Sequence, residues 1–214
     1  MWWIGGSPCS GKSTIAATLS GRPRPGESTA AATLGGGGGG AGDGGPVYSC
    51  DDAFERHGGP TFDLVRAMSI GQRLAQPIEV QVEQQFRLYR EQWPQILADL
   101  TAPSIVEGAA LIPELLDSHG VPRDRAVFVV PTAEFQRRQY RRRSWVWTLL
   151  ATTGDPEDAF DRWMRRDETF ALLVADQARD AGYRVLTVDG TESAADLATA
   201  VSVLLAPERA PGPH

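Results

Sequence analysis

Gly6, four intervening residues, then Gly11-Lys12-Ser13: the stretch IGGSPCSGKST at residues 4–14 has the residue types and spacing of a loop that holds phosphate. Glycines let the chain turn so that backbone N–H groups face an anion, and a helix starting there adds its own N–H groups and dipole. Lys12 is then placed to reach the β- and γ-phosphates of a nucleotide, the Ser13 hydroxyl to ligate Mg²⁺, and Thr14 to bond a phosphate oxygen. The nucleotide-binding set expected on these grounds is Gly6, Ser7, Pro8, Cys9, Ser10, Gly11, Lys12, Ser13 and Thr14.

Acidic residues supply the complementary chemistry. Phosphoryl transfer to an alcohol needs a carboxylate near the acceptor oxygen to take its proton. In YSCDDAF, Asp51 is the expected general base and acceptor contact, with Asp52 as a second carboxylate on the acceptor side. Capping the helix that begins AFERH is the competing use of either aspartate. Glu107, at the end of the apolar run SIVE, is expected to reach the metal through a water molecule; capping the next helix is its alternative.

Arginines are concentrated in QRRQYRRRSWVW and RWMRRD, as Arg137, Arg138, Arg141, Arg142, Arg143, Arg162, Arg165 and Arg166. Guanidinium forks stabilise the charge spread over a transferring phosphoryl group. Arg138 and Arg142 are the expected phosphate contacts. The competing reading pairs most of these arginines with Asp155, Glu157, Asp158 and Asp161, and another would use them with Tyr140, Trp145 and Trp147 to bind nucleic acid. On the acceptor side, FERHGGPTFDLVRAM and a helix carrying Phe86, Tyr89, Arg90 and Trp93 are expected to form the pocket, with Arg90 as a contact and Arg66 and Arg87 suited to an anion.

The elements that must position these residues alternate. MWWIGGS reads as a strand entering the glycine loop, and KSTIAATLSG as the helix leaving it. Further strands are expected at VYS, SIVE, AVFVVP and RVLTV, separated by helices. Phe86, Tyr89, Trp93, Ile96, Leu97 and Leu100 recur at helical spacing, with Pro94 expected to kink or restart the helix. A long helix is expected over about 157–181. Alternation of this kind implies a parallel sheet covered on both faces, with ligands outside the C-terminal ends of the strands. Residues 6–13, Asp51-Asp52 and Glu107 all fall on that rim. Residues 22–46, with six consecutive glycines, read as a flexible insertion, and 207–214 as a frayed tail, leaving one domain over 1–206.

The chain has 214 residues, is 42% hydrophobic and 22% charged, and carries a formal charge of −6, which gives no global field for nucleic acid or an anionic membrane. No apolar run is long enough to span a bilayer, and the N-terminus does not read as a secretory signal, so a cytoplasmic protein is expected. Cys9 and Cys50 form no disulfide framework; reduced residues in tight places are favoured over a redox switch. His57 and His119 have no metal-ligand spacing, and no Gly-x-Ser-x-Gly elbow is present.

Taken in order, GGSPCSGKST, YSCDD, IVEGAALIPEL and the arginine-rich segment after VFVVPTAEFQRR resemble the P-loop small-molecule kinases with nucleoside-monophosphate-kinase architecture. VEGAALIP and RWMRRDETFALLVADQARDAGYRV look most like 2-phosphoglycerate-kinase-type and related uncharacterised AAA-type P-loop kinase domains. The resemblance spans nearly the whole chain outside the insertion. It implies a three-layer α/β/α fold with a five-stranded parallel sheet in the order 2-3-1-4-5 and a helical lid near 138–165. It also implies ATP and Mg²⁺ as cofactors, a small-molecule hydroxyl acceptor (sugar, nucleoside or antibiotic), and a monomer or homodimer. Lys12, Ser13 and Thr14 carry over as phosphate and metal contacts, Asp51 as base or acceptor anchor, and Arg142 as a lid contact. A nucleoside-monophosphate kinase and a low-turnover ATP-binding regulatory module are the rival expectations; a GTP switch is disfavoured because no Asn-Lys-x-Asp sequence is present.

Overall fold

The computed structural model describes residues 1–21 and 46–206. The glycine-rich insertion, apart from Pro46, and the tail lie outside these residues. Five strands form one all-parallel sheet: β1 (Trp2–Gly6), β2 (Val47–Ser49), β3 (Ile105–Glu107), β4 (Ala126–Pro131) and β5 (Arg184–Val188). Their order is β2-β3-β1-β4-β5. Ser49 and Ile4 both pair with Glu107 across the sheet, so the ends of β2, β3 and β1 lie side by side.

Successive strand residues face opposite sides, and two separate cores follow from that alternation. Trp3, Val106 and Phe128 pack against α5 (Ile78–Asp99), α6 (Pro113–Ser118) and α9 (Pro156–Asp180). Ile4, Val127 and Val129 pack against α1 (Lys12–Leu19) and α10 (Ala194–Leu204). All six residues of β4 are buried, as expected of a strand covered on both faces.

A third core contains no strand residue among those described. Ile70 and Leu74 of α4 (Ile70–Leu74), Tyr140 of α7 (Ala133–Arg141), and Val146 and Leu150 of α8 (Ser144–Leu150) close on Phe160, Trp163 and Met164 of α9. Cys9 of the glycine loop packs against this cluster. The segment expected as a lid, 138–165, thus has its own apolar centre beside the loop.

Of the local alternatives, a restart at Pro94 and the capping use of the aspartates do not occur. α5 runs through Pro94 as one helix, held by the buried Phe86, Tyr89, Trp93 and Ile96 on its sheet-facing side, so no restart occurs. The aspartates do not cap a helix. Ser49 does, its Oγ accepting from the Asp52 N–H at the start of α2 (Cys50–Ala53), which leaves both aspartate side chains free of that duty.

Candidate functional site

The glycine loop owes its shape to a few backbone positions with positive φ, of which Gly6 has no room for a side chain. Gly6 has φ 125°, and a Cβ there would lie 1.9 Å from the Val129 carbonyl oxygen. Cys9 (φ 63°) and Gly11 (φ 85°) add left-handed turns, an arrangement that aims successive N–H groups into a concavity. α1 then begins with no side-chain cap and no acidic residue in its first turn, so its positive end is left for an anion.

Lys12 is buried at 4% exposure and folds back over the loop, its Nζ donating to the Ser7 carbonyl at 2.7 Å and to Ser10 Oγ at 3.4 Å. Ser13 Oγ donates to Glu107 Oε2 at 3.2 Å. Glu107 is 1% exposed, and burial lifts its carboxyl above the usual glutamate range, against the opposing pull of Lys12. Asp51 stands beside them, exposed at the end of β2, with Oδ1 accepting from the Ala109 N–H at 3.3 Å. The expected set Lys12, Ser13, Glu107 and Asp51 therefore converges on one rim. The turn after β3 is tight because Gly108 passes Cys50: a Cβ there would lie 2.5 Å from the Cys50 Cβ.

Among the described residues no group of three or more His, Cys, Asp and Glu converges as a metal cage. Ser13 with the buried Glu107 nevertheless fits Mg²⁺, which keeps waters and takes few protein ligands beside phosphate oxygens. A buried carboxylate with a raised proton affinity is also a site that a cation would relieve.

The arginines divide sharply. Arg137 is held by Asp161 and Glu168, Arg141 by Glu157, and Arg162 by Asp158, so the pairing alternative describes these three. Arg138 donates to the Asp189 carbonyl at 2.9 Å and lies over Phe135, at the C-terminal end of β5. Arg142 is exposed with no side-chain partner among the described residues. Arg143 lies over the Tyr140 ring and is close enough to act electrostatically on Cys9 of the loop. Arg90 is not brought to the cleft. Glu83 and Glu114 hold its guanidinium on the outer face of α5, because the helix turns that residue away from the side that meets the pocket.

Beyond the loop lie two adjoining cavities. One, of about 170 Å³, is lined by Pro8, Phe54, Gln85, Tyr89, Arg166, Asp167 and Phe170. The other, of about 140 Å³, is bounded by Phe54, Glu55, Phe62, Val65, Arg66, Arg73, Gln81, Gln84, Gln85, Leu88 and Arg166. They share Phe54, Gln85 and Arg166, so a single groove leads from the loop toward α3 (Pro60–Ala67) and α4. The segment expected to form the acceptor pocket does line it. The face of α5 that does so carries Gln81, Gln84, Gln85, Leu88 and, as expected, Tyr89, while Phe86 and Trp93 belong to the core.

Three features escaped the sequence reading. Gln136, 1% exposed on α7, donates to the Pro8 carbonyl at 2.9 Å and so braces the loop from that helix. Tyr140 Oη donates to Asp167 Oδ2 at 2.8 Å, and Arg166 donates twice to Asp167 Oδ1, at 2.8 and 2.6 Å. Arg73 faces the same place from α4. The only available signal was the charge pattern RRD within an otherwise apolar helical face. Comparison with family models and with curated proteins finds no match to this chain.

Proposed function

We propose that the chain is an ATP-dependent phosphotransferase that moves the γ-phosphoryl group to a hydroxyl of a small molecule. The observation that carries this reading is the meeting of Lys12, Ser13, Glu107 and Asp51 at the ends of three neighbouring strands, with the groove opening beyond them. The loop N–H groups and Lys12 bind the triphosphate once Lys12 gives up its internal bond to the Ser7 carbonyl. Ser13, and Glu107 through water, would hold Mg²⁺, which would supply charge neutralisation across the phosphates.

Asp51 takes the acceptor proton as the acceptor oxygen forms its bond to the γ-phosphorus and the bond from that phosphorus to the β-bridging oxygen breaks, releasing ADP. Its exposure, free of capping, and its closeness to Tyr89 of the groove wall suit a base that must meet a substrate. Arg166, fixed by Asp167 between loop and cavity, is the arginine best placed to meet phosphate charge. Closure of the helical segment 138–165 would exclude water. The reading is tested by following labelled phosphate from ATP across a panel of small hydroxyl compounds. Tight ATP binding with no acceptor-stimulated ADP release would instead describe a regulatory module.

A further inference from the structure

Among the described residues, Cys9 and Ala102 are the non-glycine positions with positive φ. Ala102 lies in an exposed bend, where nothing depends on it. Cys9 lies in the glycine loop at φ 63°, a left-handed conformation unfavourable for any residue with a Cβ. Strain of this kind persists only where the surroundings impose it. The restraint comes from α7, whose Gln136 Nε2 donates to the Pro8 carbonyl at 2.9 Å. Ser7 Oγ reaches the same carbonyl at 3.5 Å, the outer limit for a hydrogen bond.

In a trans peptide the carbonyl of one residue and the N–H of the next point in opposite directions. With the Pro8 carbonyl turned to Gln136, the Cys9 N–H is turned away from α7. It donates to no acceptor among the described residues. The Ser7 N–H is taken by the Val129 carbonyl at 3.3 Å, and Pro8 has none, so of residues 7–9 Cys9 alone has an N–H to offer. Rotating this one peptide by half a turn would return Cys9 to a negative φ. It would also put the Pro8 carbonyl where the N–H now stands, presenting oxygen to an anion.

Stability alone gives no reason for a glutamine here. Gln136 is 1% exposed, and its Oε1 is buried with no partner among the described residues. An unpaired buried acceptor offsets much of what the other bond of the same amide contributes, and an apolar side chain of equal length would avoid that cost. We propose that Gln136 is a positioning residue: it holds the Pro8–Cys9 peptide in its strained orientation, so that the Cys9 N–H meets a phosphate oxygen. This inference rests on the reading of the glycine loop as a nucleotide-phosphate site.

Gln136→Met keeps the length of the side chain and removes the donor. In the full chain it should bind ADP and inorganic tripolyphosphate about ten- to a hundredfold more weakly than wild type, the loss expected for one hydrogen bond to a charged oxygen. Its melting temperature should equal or exceed that of wild type, because the unpaired Oε1 leaves with the amide. In the isotope-labelled wild-type chain, tripolyphosphate should shift the Cys9 amide resonance strongly; in Gln136→Met that shift should be lost. Gln136→Glu supplies the rescue, since a protonated carboxyl donates to the Pro8 carbonyl and a carboxylate does not. At about pH 5.5 it should bind tripolyphosphate more tightly than Gln136→Met does, because burial favours the protonated form.

Undiminished tripolyphosphate binding by Gln136→Met, a Cys9 shift that survives in that variant, or a Gln136→Glu chain no better than Gln136→Met at the acid pH would each overturn the proposal. So would a melting temperature for Gln136→Met below that of wild type, which would assign the glutamine to stability. Wild type that binds neither ADP nor tripolyphosphate would remove the phosphate site itself. Binding of both that depends on Gln136, with no transfer from ATP to any hydroxyl compound, would sink the phosphotransferase reading and leave the positioning role standing. Transfer by Gln136→Met at the wild-type rate would do the reverse.

Discussion

At one end of the groove the glycine loop is a run of neighbouring residues, 6–14, whose shape is set by backbone angles at Gly6, Cys9 and Gly11. At the other end the cavity draws Arg66, Arg73 and Arg166 from three helices separated by long stretches of chain. The first surface is made of N–H groups that every residue but proline possesses, and needs only the right turn. The second is made of side-chain charges that meet because α4 and α9 share the apolar cluster around Phe160 and Met164. A local backbone device leaves a spacing in the sequence. A long-range side-chain device leaves only a composition.

The contrast is open to direct attack, most severely at Gly6. Gly6→Ala would drive a methyl group into the Val129 carbonyl at a φ that side chains rarely adopt, and should cost about 3 kcal/mol or more. Loss of ADP binding, with a large drop in melting temperature, is the expected outcome; an alanine variant that binds ADP normally would show that the loop is not set by its backbone. Next, Asp51→Asn should lower the transfer rate by about 10²- to 10⁴-fold with unchanged ADP affinity, since the residue lies beyond the loop. Transfer at the wild-type rate on the true acceptor would remove Asp51 from the chemistry.

Glu107 stands at the loop end, beside Ser13, and its effect has two signs. Burial raises its proton affinity in the folded chain above that of the unfolded chain. The stability it contributes is therefore fully present below the ordinary glutamate pKa and is lost as pH rises through the raised value. At neutral pH Glu107→Gln should stabilise the metal-free protein by about 1 kcal/mol, or roughly 2–4 °C, with the gain shrinking toward pH 4. The same variant should need far more Mg²⁺ for nucleotide binding. A variant less stable than wild type at pH 7 would mean that the bond from Ser13 outweighs the cost of burial.

The smallest effect concerns Cys9. Burial pushes its thiol up to about 11, opposed by Arg143 and Lys12, so only about one thiol in a thousand is ionised at pH 8. Alkylation should be slow, should accelerate about tenfold per pH unit between pH 7 and 9, and should be suppressed by ADP. A rate that levels off near pH 8.5 would place a reactive thiolate in the loop. Cys50, 3% exposed and also pushed up by burial, should stay unlabelled in the folded chain.

The strands, their order and the shared rim were legible because each strand is a short apolar run and each crossover a helix, and parallel sheets place all their carboxyl ends together. Asp51 and Glu107 were legible as rim residues for that reason alone. The pairing of Arg90 with Glu83 and Glu114 was not legible, because helical periodicity names the buried face of α5 but not which flank of that face opens on a cavity. Among the arginines, sequence offered several equivalent forks. Packing separated them, pairing Arg137, Arg141 and Arg162 with neighbouring acids while leaving Arg166 in the groove and Arg73 without a partner.

The sequence by itself determined a phosphate-shaped loop feeding a helix, a doubly covered parallel sheet and a carboxylate rim, because these depend on local turns, alternation and chain direction. Only the tertiary structure decided which charges are neutralised and which are left facing the cavity, that Gln136 ties α7 to the loop, and that Tyr140 ties α7 to α9. Ion pairing and burial depend on distances between residues far apart in the chain, and those distances exist only once the helices have packed.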